Sequence, residues 1–214
     1  MISITNIQIH EVTFAEYLQL PGYSHSFLKR NAGGIAYNID VTNMMQLGSM
    51  VDAIITHSVG SKPIDMMHPL FRHAKFIATT IMMKYPHLKA FRGQVAYTGV
   101  MTDEVTGLAM PVKVLPDLAA DGISVELKIT TSKLSQIETL INHMGYDNQV
   151  WLQRMMVGGG KLAKGYLMPY SVADDVEVSG KWMNRNNGNQ VCMIGRECAD
   201  SELWWLEKVR EFGE

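Results

Sequence analysis

Asp117, Glu126 and Lys128 are the residues whose types and spacing bear most directly on chemistry. Asp117 follows Pro116 after an apolar run, and Glu126 stands nine positions later in Ile123-Ser124-Val125-Glu126-Leu127-Lys128-Ile129-Thr130. The alternation predicts a strand with Ile123, Val125, Leu127 and Ile129 on one face and Ser124, Glu126, Lys128 and Thr130 on the other. Asp117 falls where the preceding strand ends, across a short connection, and can come alongside Glu126. Two carboxylates can hold one or two Mg²⁺ ions, hard cations that prefer oxygen ligands. Such ions polarise a phosphodiester and lower the pKa of a bound water. An ammonium two residues from one carboxylate can orient that water or stabilise charge on the phosphorus. On spacing alone, a strand with one wet face is the commoner source of a Glu-x-Lys pattern.

The elements that must position these groups are read from periodicity and punctuation. Ile2–Glu11 alternates loosely and predicts an edge strand or extended arm. Pro21-Gly22 is a turn, and Ser24 or Ser26 can cap a short helix after it. Asn31 to Asn43 reads as a loop. Apolar residues at helical spacing predict helices over Met44–His57 and Met66–Lys84, the second ending before Tyr85-Pro86. A three-strand meander follows: Gln94–Met101, Leu108–Leu115 and Ile123–Thr130, with Pro116 to Gly122 as a loop. Ser132–Met144 and Tyr146–Val157 read as helices broken at Gly145. Strands are expected at Leu162–Tyr170, Asp175–Lys181 and Gln190–Ile194, and a final helix at Asp200–Phe212. No repeat or linker divides residues 1–214, so the expectation is one α/β domain, a central mixed β-sheet flanked by helices.

Several quoted segments carry a resemblance. Pro116-Asp117 followed by Glu126-Leu127-Lys128 resembles the PD-(D/E)xK nuclease signature. Gly48-Ser49-Met50-Val51-Asp52 is similar to the helical Gly-Ser/Thr-x-x-His motif of the RecE-type and lambda-type phage recombination exonucleases. Tyr146-Asp147-Asn148-Gln149 resembles their Tyr-x-x-Gln element. The stretch from Tyr17 through Pro21-Gly22 and Ser24 to Lys29 is similar to their Leu-Pro-Gly-x-Ser-x-Ser-x-Leu-Lys entry. These pieces span about residues 17–157 in the family's order. Departures are Asp52 where His or Glu is usual and Gln153 where many relatives have Tyr; no cysteine cluster exists for the iron–sulfur staple of some relatives.

The resemblance implies a restriction-endonuclease-like core and a DNA exonuclease that resects linear double-stranded ends 5′→3′. It also implies a ring-shaped homo-oligomer and a single-strand annealing protein as partner, in phage-type recombination. Asp52, Asp117 and Glu126, with the backbone carbonyl of Leu127, would hold Mg²⁺ or Mn²⁺, and Lys128 would be the catalytic lysine. Gln149 would contact DNA or position Lys128, supported by Tyr146 on the same helix face. Ser24, Ser26 and Lys29, in an end-contacting segment of about residues 1–45, would meet the DNA end. Arg30, Arg72 and Lys75 are DNA-binding candidates from charge alone. An endonuclease or nickase of the same fold and a non-catalytic DNA-binding module remain alternatives.

Composition bounds the rest. With 47% hydrophobic and 19% charged residues, a net charge of −2 and a pI near 6.4, the chain is neither disordered nor a protein that coats nucleic acid by bulk charge. There is no apolar stretch of membrane-spanning length and no signal-peptide pattern at the start, so the expected location is the cytoplasm; the resemblance implies that of a bacterial host cell, with the chain encoded by a phage or prophage. Cys192 and Cys198 are too few for a disulfide framework. Gly158-Gly159-Gly160-Lys161 lacks the earlier glycine of a phosphate loop, where Met155 stands, and reads as a helix C-cap. His68 and His73, five apart, are expected to be exposed or capping, and His57 to lie near a helix end. The sixteen methionines are expected to fill core gaps or a subunit interface.

Overall fold

The computed structural model describes residues 1–31, 39–56, 64–93, 95–161, 163–186, 189–198 and 200–214, the side chains of 30–31 and 39–42 excepted. The chain opens with β1 (Ile2–His10), α1 (Phe14–Gln19), α2 (His25–Asn31), α3 (Ile39–Thr56) and α4 (Phe71–Lys84). Strands β2 (Arg92–Gly93), β3 (Ala96–Asp103), β4 (Ala109–Val114), β5 (Leu118–Ala120) and β6 (Ile123–Thr130) follow. Helices α5 (Ile137–Met144) and α6 (Tyr146–Val157) lead to β7 (Lys164–Ser171), β8 (Asp175–Val178), β9 (Lys181–Asn184), β10 (Ile194–Gly195) and α7 (Ser201–Phe212). Among the described residues no helix is long and apolar enough to cross a membrane.

The fold is mixed α/β. Strands β1-β3-β4 form an antiparallel sheet, and β10-β7-β6-β5-β2 form a mixed one in which β6 and β7 run parallel. Parallel neighbours require a crossover, and α5 with α6 supplies it. Gly145 makes the break between those helices: its φ of 64° is a left-handed conformation that costs glycine little, and its N–H caps α5.

Helix α6 lies between the two sheets. Its Trp151, Leu152 and Met156 join Ile4, Met101, Met110 and Val112 of the antiparallel sheet and Trp205 and Val209 of α7 in one apolar cluster. A second cluster packs Val51 and Ile55 of α3 and Ile77 and Ile81 of α4 against Val125 and Leu127 of β6 and Met168 and Tyr170 of β7. Both faces of β6 are therefore covered. Ser124 is 0% exposed and Glu126 3%, so the wet-face reading of this strand is corrected.

Other local expectations change for identifiable reasons. Helix α4 begins at Phe71 because side chains upstream take up backbone groups: the Asp65 carboxylate accepts the Met67 N–H at 2.9 Å and His68 Nδ1 accepts the Leu70 N–H at 3.2 Å. Residues 39–43, expected in a loop, begin α3, while 32–38 lie outside the described residues, as do His57, Gln94 and Leu162. The loop from Pro116 to Gly122 contains β5, paired with β6. The single strand expected at Asp175–Lys181 is the hairpin β8–β9, turned at Ser179 and Gly180 with φ of 51° and 75°. Of Gln190–Ile194 only a bridge at Val191 and the start of β10 are extended. His73 is buried, its Nε2 2.7 Å from the Asp175 carboxylate and its ring stacked on Trp182 at 3.7 Å, rather than exposed or capping.

Candidate active site

The β5–β6 register builds the centre. Leu118 pairs with Val125 in an antiparallel ladder, so continuing that register sets Asp117 at the level of Glu126. The pairing with β5 stops there, and a side chain replaces the missing strand: the Leu127 N–H donates to Asp117 Oδ2 at 2.7 Å. In a ladder, a residue's N–H and C=O point to the same side. The Leu127 carbonyl therefore leaves β6 on the Asp117 side.

Glu126 projects from the face of the strand opposite to Leu127, toward α6, and three donors hold it. Oε1 accepts from the Lys128 ammonium and from Gln149 Nε2 at 2.7 Å; Oε2 accepts from Gln153 Nε2 at 2.6 Å. Gln149 and Gln153 are i and i+4 on α6 and therefore share a face. The Lys128 Nζ also sits 5.0 Å from the centre of the Tyr146 ring. Burial pushes the Lys128 ammonium down, but Glu126 and Asp117 outweigh it and hold the pKa above the ordinary lysine value.

Asp52 reaches the cluster from α3, which crosses β6 with Gly48 over Ile129. Its proximity is registered by Asp117, whose pKa is raised well above the usual carboxylate range by burial and by the charges of Glu126 and Asp52, against the lowering by Lys128 and the Leu127 N–H. Thus Asp52, Asp117, Glu126, Lys128, Tyr146 and Gln149, separated by nearly one hundred positions in the sequence, meet in one place.

Among the described residues no three His, Cys, Asp or Glu side chains are grouped closely enough to hold a metal ion as they stand. The donor set nonetheless fits a hard divalent cation. Asp52, Asp117 and Glu126 offer carboxylate oxygens, the Leu127 carbonyl faces the same edge, and the burial and mutual repulsion that raise Asp117 are offset by a bound cation as they are by a proton.

The segment expected to contact a DNA end forms a wall beside this centre. Lys113 on β4, 8% exposed, donates from Nζ to the carbonyls of Tyr17, Leu18 and Leu20 at 3.3, 3.0 and 2.6 Å and so caps the end of α1. The Tyr23 N–H donates to Pro111 O at 2.9 Å, and the Lys113 N–H to Tyr23 O at 3.1 Å. Tyr17 is buried, and its hydroxyl is pushed up to about 12 by burial and by Glu126, against a hydrogen bond from Ser24. His25 is held down to about 4 by burial and by Lys29 and Lys128. Ser24 Oγ accepts the Phe27 N–H at 3.3 Å as the cap of α2, and Ser26 is exposed. Lys29 donates to Met144 O, the last carbonyl of α5, at 2.5 Å. Arg72 and Lys75 occupy the exposed side of α4, with Arg72 beside the hairpin turn at Gly180. The Arg30 side chain lies outside the described residues.

Sequence reading missed Tyr17, His25 and Lys113 as parts of this site, and noted Gln153 only as a departure. The signal for Gln153 was its place one helical turn after Gln149, on the face that meets Glu126. Gln153 is 1% exposed, and its Oε1 has no hydrogen-bond partner among the described residues, an arrangement that costs about 1–3 kcal/mol. No protein-family model matches the chain, and no curated protein does either.

Proposed function

We propose that the chain is a divalent-cation-dependent deoxyribonuclease with a restriction-endonuclease-like core, acting as an exonuclease on linear double-stranded DNA ends. One observation carries the reading: the β5–β6 register sets Asp117 level with Glu126, while α3 brings Asp52, α6 brings Gln149, and Lys128 lies two residues along the same strand. A solvated surface pair has no need of this convergence, and it leaves Glu126 exposed instead of 3% exposed.

Asp52, Asp117, Glu126 and the Leu127 carbonyl would hold Mg²⁺ or Mn²⁺, which supplies Lewis acidity to a phosphate oxygen and acidifies a water molecule. Lys128, held as an ammonium by its acidic neighbours, orients that water and stabilises charge on the phosphorus. Gln149 is half-buried and shares Oε1 of Glu126 with Lys128, so its amide can exchange that oxygen for a backbone phosphate. Tyr146 holds the Lys128 ammonium over its ring. The Leu127 N–H keeps Asp117 turned to the site. Ser24 and Ser26, in the segment that carries Tyr17 and His25, would meet the end of a duplex, with Lys29, Arg72 and Lys75 as candidate phosphate contacts.

The test is incubation with Mg²⁺ of matched linear and closed circular duplexes, the linear one labelled at either end. The reading expects early release of the 5′ label from linear DNA, an intact circle, and loss of label release in Glu126→Ala and Lys128→Ala. Cleavage of the circle would make the protein an endonuclease. Absence of product from every substrate would leave a non-catalytic binding module.

A further inference from the structure

We infer that Gln153 is a positioning residue that fixes the Glu126 carboxylate for its cation, retained at that position against the demands of packing. The inference rests on the cation-site reading above and concerns a side chain to which that reading gives no role.

Gln153 sits where α6 meets β6, between the buried Glu126 and Ser124 of the strand and helix neighbours Val150, Leu152 and Met156 that are each no more than 1% exposed. A methionine or leucine of similar volume would fill such a place without polar atoms to satisfy. Only one of the carboxamide's two polar atoms is matched by a protein group, since Nε2 donates to Glu126 Oε2 at 2.6 Å while Oε1 has no partner among the described residues. The amide orientation is dictated by chemistry, because turning it over would set Oε1 against a carboxylate oxygen. Its one matched bond is directed at the carboxylate through which the strand would meet the cation.

The geometry divides the two glutamines of α6. Gln149 is half-buried and bonds the oxygen that Lys128 also holds, so a ligand reaching its exposed side can displace it. Gln153 grips the other oxygen from inside and has nowhere else to go. Outer partners of this kind set the orientation of a ligating group, and their removal weakens metal binding about 10–100-fold.

The experiment is titration of the DNA-free protein with Mn²⁺ by calorimetry, together with thermal unfolding in EDTA, for the wild type, Gln153→Leu, Gln153→Met and Glu126→Ala. The inference expects Gln153→Leu or Gln153→Met to unfold at or above the wild-type temperature while its Mn²⁺ dissociation constant rises about tenfold or more. Unchanged Mn²⁺ affinity in a folded Gln153 variant overturns it. Collapse of both variants also overturns it, by showing that the amide is needed for the fold itself. Glu126→Ala separates the two levels. If that variant binds Mn²⁺ like the wild type, the cation-site reading fails; if it loses binding while the Gln153 variants keep theirs, only the role of Gln153 fails.

Discussion

Replacing Lys128 by Met tests whether the charge balance of the cluster is what the geometry says it is. The ammonium bonds Glu126 Oε1, with 22% of the Lys128 side chain exposed and 4% of the Glu126 side chain. Removing one partner of a fully buried ion pair costs about 3–5 kcal/mol, because the remaining charge is stranded. Here Gln149 and Gln153 still donate to Glu126, and solvent reaches part of the lysine stem, so the expected loss is about 2–3 kcal/mol. In a chain of 214 residues that lowers the unfolding temperature by roughly 5–10 °C. The assay is urea unfolding followed by circular dichroism, in EDTA and in excess Mg²⁺. A divalent cation supplies the positive charge that the substitution removed, so Mg²⁺ should stabilise Lys128→Met more than the wild type, while DNA degradation stays abolished. Equal stability of the two proteins in EDTA, or indifference of both to Mg²⁺, would refute the reasoning.

Two further outcomes follow from the wall beside the site. His25, held down to about 4 from an ordinary 6.5, stays neutral in the folded chain while the unfolded chain takes up a proton below pH 6.5. Its contribution is complete above pH 6.5 and is lost as the pH falls toward 4, amounting to about 3 kcal/mol. Urea midpoints measured from pH 7 to pH 4.5 should fall less steeply in His25→Phe than in the wild type, and parallel curves would contradict the assignment. Gly22 has a φ of 110°, and a Cβ there would lie 2.8 Å from the carbonyl carbon of Val112 and 3.0 Å from its nitrogen and oxygen. Gly22→Ala should therefore cost more than the roughly 1–3 kcal/mol of backbone strain alone and should raise hydrogen exchange at Tyr23 and Lys113, whereas a stable variant with wild-type exchange would show that the entry segment is not clamped to β4.

Much of this site was legible in the chain because its parts are local and periodic. The two-residue alternation of Ile123–Thr130 gave β6 its length and its faces, and Gly145 marked the junction of α5 and α6. What stayed hidden depends on tertiary partners. Two helices cover β6, one on each face, and nothing in its own alternation reveals that, so spacing alone is equally compatible with a solvated Glu126. Strand β5 has three residues and exists only because β2 and β6 pair with it. The β8–β9 turn uses Ser179 at positive φ, where Asn or Asp is the usual signal. Lys113 looks like a surface lysine on an alternating strand; its burial is compensated by carbonyls more than ninety residues earlier in the chain. His73 is settled by Asp175 and Trp182, which lie on a hairpin that the sequence presented as one strand.

The central claim is that three distant carboxylates and one strand carbonyl serve one divalent-cation site. The most direct measurement is the anomalous difference density of crystals soaked in Mn²⁺. The account predicts a peak about 2.0–2.3 Å from oxygens of Asp117 and Glu126, with Asp52 and the Leu127 carbonyl around it, and its disappearance in Glu126→Ala. Well-diffracting crystals at saturating Mn²⁺ with no peak between Asp117 and Glu126 would contradict it.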